Sequence, residues 1–459
     1  MLKATRNRHY KELVGLIFRL LLCVAIFVVI FLRDDTPPMK MYSTATVSAI
    51  ITVENVVEDL PPKTPPPEPV GTPPAAADIQ ARLEQRRRSG KATLGFVGDI
   101  LIMQSQINAA KQDDGGYDFS RSFDSMRNVF AGVELMVGNL ELPLAGAEAG
   151  YSQPRPQAPA PTVENPNPKQ PMPSFNAPDE LANNLRDAGF HVLTTANNHC
   201  LDRGVDGMFR TIDVVRNVGL MQTGTFLSGS DREKRLIVEV NGIKLSILAY
   251  TGFLNGNAPL LKGQTELVGL LDSRDEIIKD INACRDMGAE FIIVCVHWGF
   301  EYENAQSSAQ EKTALWLAQN GADLIIGMHP HVVQPIEWIE AERGEETVRV
   351  PVVYSLGNFV ANTSPALSDY GVYVQTEIKR GVNGRVEVEA VYYLPIYCMR
   401  RSLPDRKTLH EVIPCYENSA AEDSAFSPLD DGELRRMQKC REHVMTIIGT
   451  EAATPITAP

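Results

Sequence analysis

Short, predominantly apolar runs recur along this 459-residue chain, and each stops on glycine or on polar residues. Ala92–Val97, Glu134–Val137, His191–Thr195, Leu245–Tyr250 and Val350–Tyr354 have the length and content of strands buried on both faces. Phe291–Gly299 and Leu324–His331 share that character but end on histidines. Helical periods separate them. Phe123–Phe130, Asp179–Ala188 (bracketed by Asn176 and Gly189) and Asp206–Val218 read as helices. Ser273 with Glu276, and Ser308 with Glu311, form capping-box patterns that open two more, closed by Gly288 and Gly321. Tyr370–Ile378 and Arg385–Leu394 alternate like antiparallel strands around a turn at 382–384. Asp430–Ile448 reads as a closing helix, and the residues after it as frayed. Alternating βα units followed by antiparallel strands predict an α/β layered domain over residues 92–395, with 396–459 as a C-terminal extension. Within it, residues 145–173 are rich in Ala, Pro and Gln without apolar period, the pattern of a mobile surface insertion.

The N-terminus has a different pattern. Lys3, Arg6, Arg8 and Lys11 precede Leu13–Leu32, which is apolar except for Arg19. That is close to the ~20 residues that cross a hydrocarbon core, and a long side chain at position 19 can reach back to the interface. Residues 1–33 therefore read as a signal anchor in the lipid bilayer, positive end cytoplasmic, with the bulk of the chain extracytoplasmic. A cleaved signal peptide is the rival, but no small-x-small site follows; Phe31–Pro38 is bulky and charged. Residues 34–91 are proline-rich and predict a semi-rigid spacer.

Charge then narrows the partners. The net charge is −13, and residues 34–459 hold 38 basic and 56 acidic residues. So acidic a body argues against nucleic acid, and an anionic ligand would need a local grip such as a metal ion. The seven cysteines show no CxxC spacing. Cys398 and Cys415 could pair outside the cell, and buried free thiols are the alternative.

Polar clusters follow five of the strands: Asp99; Asn139 with Glu141; Asn197, Asn198 and His199; His297; His329 with His331. Imidazole, carboxylate and amide oxygen together suit Mn, Zn or Fe rather than calcium. H-x-H on an extended segment can face one side. Lone histidines after strands are usually structural, and His191 is read that way. The series as a whole, on one edge of a sheet, points to a metal site.

The order of these motifs resembles the calcineurin-like metallophosphoesterases. Val97-Gly-Asp99, Gly138-Asn-Leu-Glu141, 196–204, 297–302, Gly327-Met-His-Pro-His331 and 354–359 resemble more particularly the capsule-synthesis CapA (PgsA) family, over about 92–359. The resemblance implies a layered α/β/β/α metallophosphatase-like sandwich. It implies that Asp99 and His331 serve a first divalent metal, that Glu141 bridges, and that Asn198, His297 and His329 complete a second. His199 would be the general acid, oriented by Asp202. Glu301, Asn358 and Asn139 would support the site or touch substrate. Position 101 is Leu, whereas phosphoesterases of this kind carry Asp-x-His there, so one ion is expected to be tight and the other weak. The family further implies a role in poly-γ-glutamate capsule synthesis or export beside synthetase subunits, with the pocket acting on an anionic polymer. A phosphate-ester hydrolase and a non-catalytic scaffold are the alternatives.

Overall fold

The computed structural model describes residues 90–152, 173–420, 423–425 and 427–458. The expected anchor, the spacer up to residue 89 and residues 153–172 lie outside them, and Lys91, expected as the spacer's last residue, already opens the first strand. Among the described residues no helix is long and apolar enough to cross a membrane. Two sheets carry the fold. The first begins with β1 (Lys91–Ile100), β2 (Leu135–Leu140), β3 (Val192–Thr194) and β4 (Met221–Thr223), all parallel. The chain then builds the second from β5 (Ile237–Val240), β6 (Ile243–Thr251), β7 (Phe291–His297), β8 (Leu324–Met328), β9 (Ile336–Arg343) and β10 (Glu346–Val353). Strands β6, β7, β8 and β10 are parallel, while β5 and β9 add antiparallel edges. It finally returns to the first sheet through β11 (Asn358–Val360), β12 (Tyr370–Arg380), β13 (Val386–Ser402), β14 (Thr408–Pro414) and β15 (Thr454–Pro455).

Alternation along single strands shows why the runs are continuously apolar. In β7, Phe291, Ile293 and Cys295 join Leu94, Phe96 and Val137 of the first sheet in a shared core. Ile292, Val294 and Val296 point the other way, toward α6 (Arg274–Asp286) and α7 (Ser308–Gln319). Met136 and Leu140 of β2 face instead α3 (Glu180–Ala188) and its neighbours. The order helix, sheet, sheet, helix follows, a four-layer sandwich in which the central strands of each sheet are dry on both faces. The other helices are α1 (Gln104–Ala110), α2 (Arg127–Phe130), α4 (Gly204–Asn217), α5 (Gly229–Arg232) and α8 (Asp431–Ile448).

Several expectations shift in detail. The capping box of α7 is Ser307 with Gln310, one residue earlier than predicted. Ser273 makes no side-chain cap, so α6 relies on Asp275 and Glu276 in its first turn. Asn176 does not cap α3; its amide ties the Ala145 N–H and the Gly146 and Gly150 carbonyls together. The start of the insertion is anchored, because buried Ser152 donates toward the Ile102 and Asn176 carbonyls. The chain end is paired rather than frayed: β15 joins β13, and Trp338 donates to Ala452 O at 2.8 Å. Strand β13 runs through residue 395, and Met437, Cys440 and Val444 of α8 enter the core between the sheets. The six described cysteines are free and buried, including Cys398 and Cys415.

Candidate metal centre

The polar clusters leave the carboxyl ends of β1, β2 and β3 in one sheet and of β7 and β8 in the other. The sequence suggests a single sheet edge; the structure instead brings two sheets to one rim. Glycines make the approach possible. A Cβ on Gly98 would lie 1.8 Å from Gly357 O, and one on Gly327 would lie 2.0 Å from Tyr354 O. The close contact lets Asp99 N–H donate to Gly357 O at 3.1 Å, which fixes the carboxylate's origin. Beyond β8 the chain is not extended. His329 (φ 100°) and His331 (φ 59°) both adopt left-handed backbone. Such conformations cost about 1–3 kcal/mol each in non-glycine residues and persist where the surroundings impose them. Here turning, not strand alternation, aims both rings inward, with centroids 6.0 Å apart.

Two donor sets result, sharing Glu141. In the first, His297 Nε2 lies 2.9 Å from Asn198 Oδ1, 3.1 Å from His329 Nδ1 and 3.5 Å from Glu141 Oε1. In the second, His331 Nδ1 lies 3.4 Å from Asp99 Oδ2 and 3.9 Å from Glu141 Oε2. Donors bound ~2.0–2.2 Å from one ion sit roughly 3–3.5 Å from each other, so the spacings suit a divalent cation. Every member is buried.

The electrostatics point the same way. Neither oxygen of Glu141 accepts a hydrogen bond, although the residue is fully buried. Burial, then the nearby Asp99 carboxylate, holds its pKa well above the usual range. Burial, then the neighbouring His331 and His199, keeps His297 well below its ordinary value. His329 is pushed down to about 2 by burial and by His297 and His331. Two neutral imidazoles therefore face each other with lone pairs available. Burial also pushes His331 down, but the Glu141 and Asp99 carboxylates outweigh it and carry the imidazole up to about 10. The two carboxylates thus favour a positive charge at this imidazole, a place a divalent cation can take. The residues thus fit a divalent metal.

Beside the donors stands a dyad. His199 Nδ1 lies 2.8 Å from Asp202 Oδ2, and the same oxygen accepts from Phe175 N–H at 2.7 Å. The Phe175 ring packs edge-on at 4.5 Å, so the imidazole is held on two sides. His199 and His331 line a cleft of about 600 Å³ together with α1 and residues 362–365. A second cleft of about 480 Å³ lies on the far side of Glu301, against His329. Among the described residues, neither is lined by Lys or Arg.

Other predicted contacts fall differently. Glu301 is exposed and borders both clefts. Asn139, expected near substrate, is buried behind Asp99 and donates to its Oδ1 at 2.7 Å while accepting from Thr194. It positions the carboxylate and reaches neither cleft. Asn358 is likewise buried, with Oδ1 2.9 Å from His331 Nδ1. Two residues after β6 join the site without having been expected there. Phe253 lies 4.7 Å from the His329 ring, and Asn255 faces His199 Nε2 at 3.5 Å and Asn198 at 3.4 Å. Their only sequence signal is the pair Gly252 and Gly256 flanking Phe253-Leu-Asn255.

Comparison with known proteins adds the family. The chain is 28% identical over 344 residues to the PGA biosynthesis protein CapA of Bacillus subtilis (strain 168), covering 74% of this chain and 80% of that one. It is 28% identical over 280 residues to the capsule biosynthesis protein CapA of Bacillus anthracis, covering 60% and 61%. Among solved structures it is similar to the calcineurin-like phosphoesterase YfkN of Bacillus subtilis, with 14% identity and a TM-score of 0.38 over 78% of this chain and 98% of that one. Residues 93–363 match the bacterial capsule synthesis protein PGA_cap family, a span that contains every donor described above, and the chain belongs to that family.

Proposed function

We propose that this protein is a membrane-anchored, extracytoplasmic component of poly-γ-glutamate (capsule polymer) synthesis or export, working beside synthetase subunits. Its buried metal pocket acts on an anionic chain. The observation that carries the reading is the shared, hydrogen-bond-free Glu141 between two sets of lone-pair donors beside an open cleft. Among the described residues no Lys or Arg lines either cleft, which favours a grip on a carboxylate or phosphate at the donor sets over one along a basic track. Mn, Zn or Fe fit the mixed nitrogen and oxygen donors. The set built on His297, His329, Asn198 and Glu141 is the tight one, and the set built on Asp99 and His331 the weaker.

When bound, the metal supplies Lewis-acid polarisation of a carbonyl or phosphoryl oxygen and an acidified water. The chain's own residues do the rest. Asn139 holds Asp99, and Asp202 accepts from His199 Nδ1–H, which supports the imidazolium form whose Nε2–H can pass a proton to a leaving group. That dyad favours a second reading, an extracytoplasmic phosphoesterase. Both are tested by His297→Ala and His331→Ala, with polymer output and phosphodiester hydrolysis measured separately. Loss of polymer supports the first reading and unchanged polymer overturns it. Absence of hydrolysis by the unmodified protein overturns the second.

A further inference from the structure

The Asp99–Glu141–His331 set has three donors and, with Leu101 in place of a histidine, no second imidazole. A fourth donor stands on the neighbouring strand. In the short parallel ladder between β11 and β1, Asn358 is the register partner of Asp99, so the two side chains leave adjacent strands at the same level. Asn358 Oδ1 reaches 2.9 Å from His331 Nδ1, the atom on which Asp99 and Glu141 converge.

The orientation of that amide is determined by its other end. Asn358 Nδ2 donates to Ser368 O at 2.7 Å, and Thr363 Oγ1 (3.3 Å) and His331 O (3.5 Å) lie on the same side. Carbonyl oxygens accept only, so the NH₂ must face them and the oxygen must face the carboxylates and the imidazole. Asn358 is 1% exposed and lines neither cleft, which leaves the donor set as what its oxygen serves.

We infer that Asn358 Oδ1 is the fourth ligand of the weaker metal, in place of the first-strand histidine. The inference rests on the metal-binding reading given above. It makes that set three oxygens and one nitrogen, against two of each in the set of His297. Oxygen-rich sets suit manganese, nitrogen-rich ones zinc. The chain would then take two different ions.

The full-length protein is loaded with one equivalent of zinc and titrated with Mn²⁺, free Mn²⁺ being read by electron paramagnetic resonance. The unmodified chain is expected to take one Mn²⁺. Asn358→Ala should weaken it ~10-fold or more while the zinc stays bound, which also shows that the fold is intact. Asn358→Asp should bind within about threefold of the unmodified chain or tighter, because an oxygen remains at the same reach. If the residue acted only through its NH₂, Asp would be as poor as Ala, since both lose the bond to Ser368; that result overturns the inference. So does Mn²⁺ binding by Asn358→Ala that matches the unmodified protein, or zinc retention with no Mn²⁺ uptake. A chain that holds neither ion overturns the metal-binding reading itself.

Discussion

Replacing Glu141 by Gln keeps the shape of the side chain and removes its charge, and it should move stability in opposite directions with and without metal. Both carboxylate oxygens are buried and accept no hydrogen bond, and the nearest imidazole nitrogens are 3.5 and 3.9 Å away. Without metal, such a carboxyl either stays charged with poor compensation or takes up a proton to avoid it. Either route costs about 1–3 kcal/mol, so Glu141→Gln should raise the metal-free melting temperature by roughly 2–5 °C. With metal the order reverses. At a free ion concentration 100 times Kd, the unmodified protein gains about 2.7 kcal/mol. If losing the shared anionic donor weakens binding ~100-fold, the variant gains only about 0.4 kcal/mol under the same conditions. Thermal unfolding of both proteins in EDTA and in excess Mn²⁺ measures all four values. A variant that melts lower in EDTA, or that keeps the full metal-induced rise, would refute the reasoning.

Two further outcomes follow from buried charge elsewhere. Asp280 accepts from Arg232 (2.7 Å), Arg235 (2.8 Å) and the Tyr250 hydroxyl (3.1 Å), all within the fold. Asp280→Ala would leave two buried guanidinium groups unpaired and should cost about 3–5 kcal/mol in urea unfolding; a loss below 1 kcal/mol would contradict this. His410 is buried on β14, and burial, helped by Arg400, lowers its pKa to about 4. It stays neutral in the native state while the unfolded chain takes a proton near pH 6.5. Its contribution is therefore complete above pH 6.5 and is lost as the pH falls toward 4, about 3 kcal/mol in all. His410→Leu should remove that part of the pH slope, and an unchanged slope between pH 7 and 4.5 would contradict the assignment.

Much of the fold is legible in the sequence because the central strands of both sheets are buried on both faces. Runs such as Phe291–Val296 have no polar side to confuse the pattern, and their ends coincide with the donors. What escapes is short or edge-like. The three residues of β4 are too few to carry a period, and Glu337, Glu340 and Glu342 disguise β9 as a surface loop. The second sheet escapes for a different reason: strand periodicity says how a strand is buried, not which sheet it joins. At the site, residue types and order foretell the donors, since few side chains can serve a metal. They do not foretell that Asn139 stands behind Asp99, that Asn358 sits beside it, or that Phe253 closes over His329. Those depend on register and on the left-handed backbone at 329 and 331, which pattern does not encode.

Metal analysis tests the central claim most directly. The full-length protein, purified without chelator and dialysed, is assayed for Mn, Zn and Fe beside His297→Ala. One tightly held divalent ion per chain, absent from the variant, is the predicted result. No retained ion, or equal retention in His297→Ala, would contradict the account.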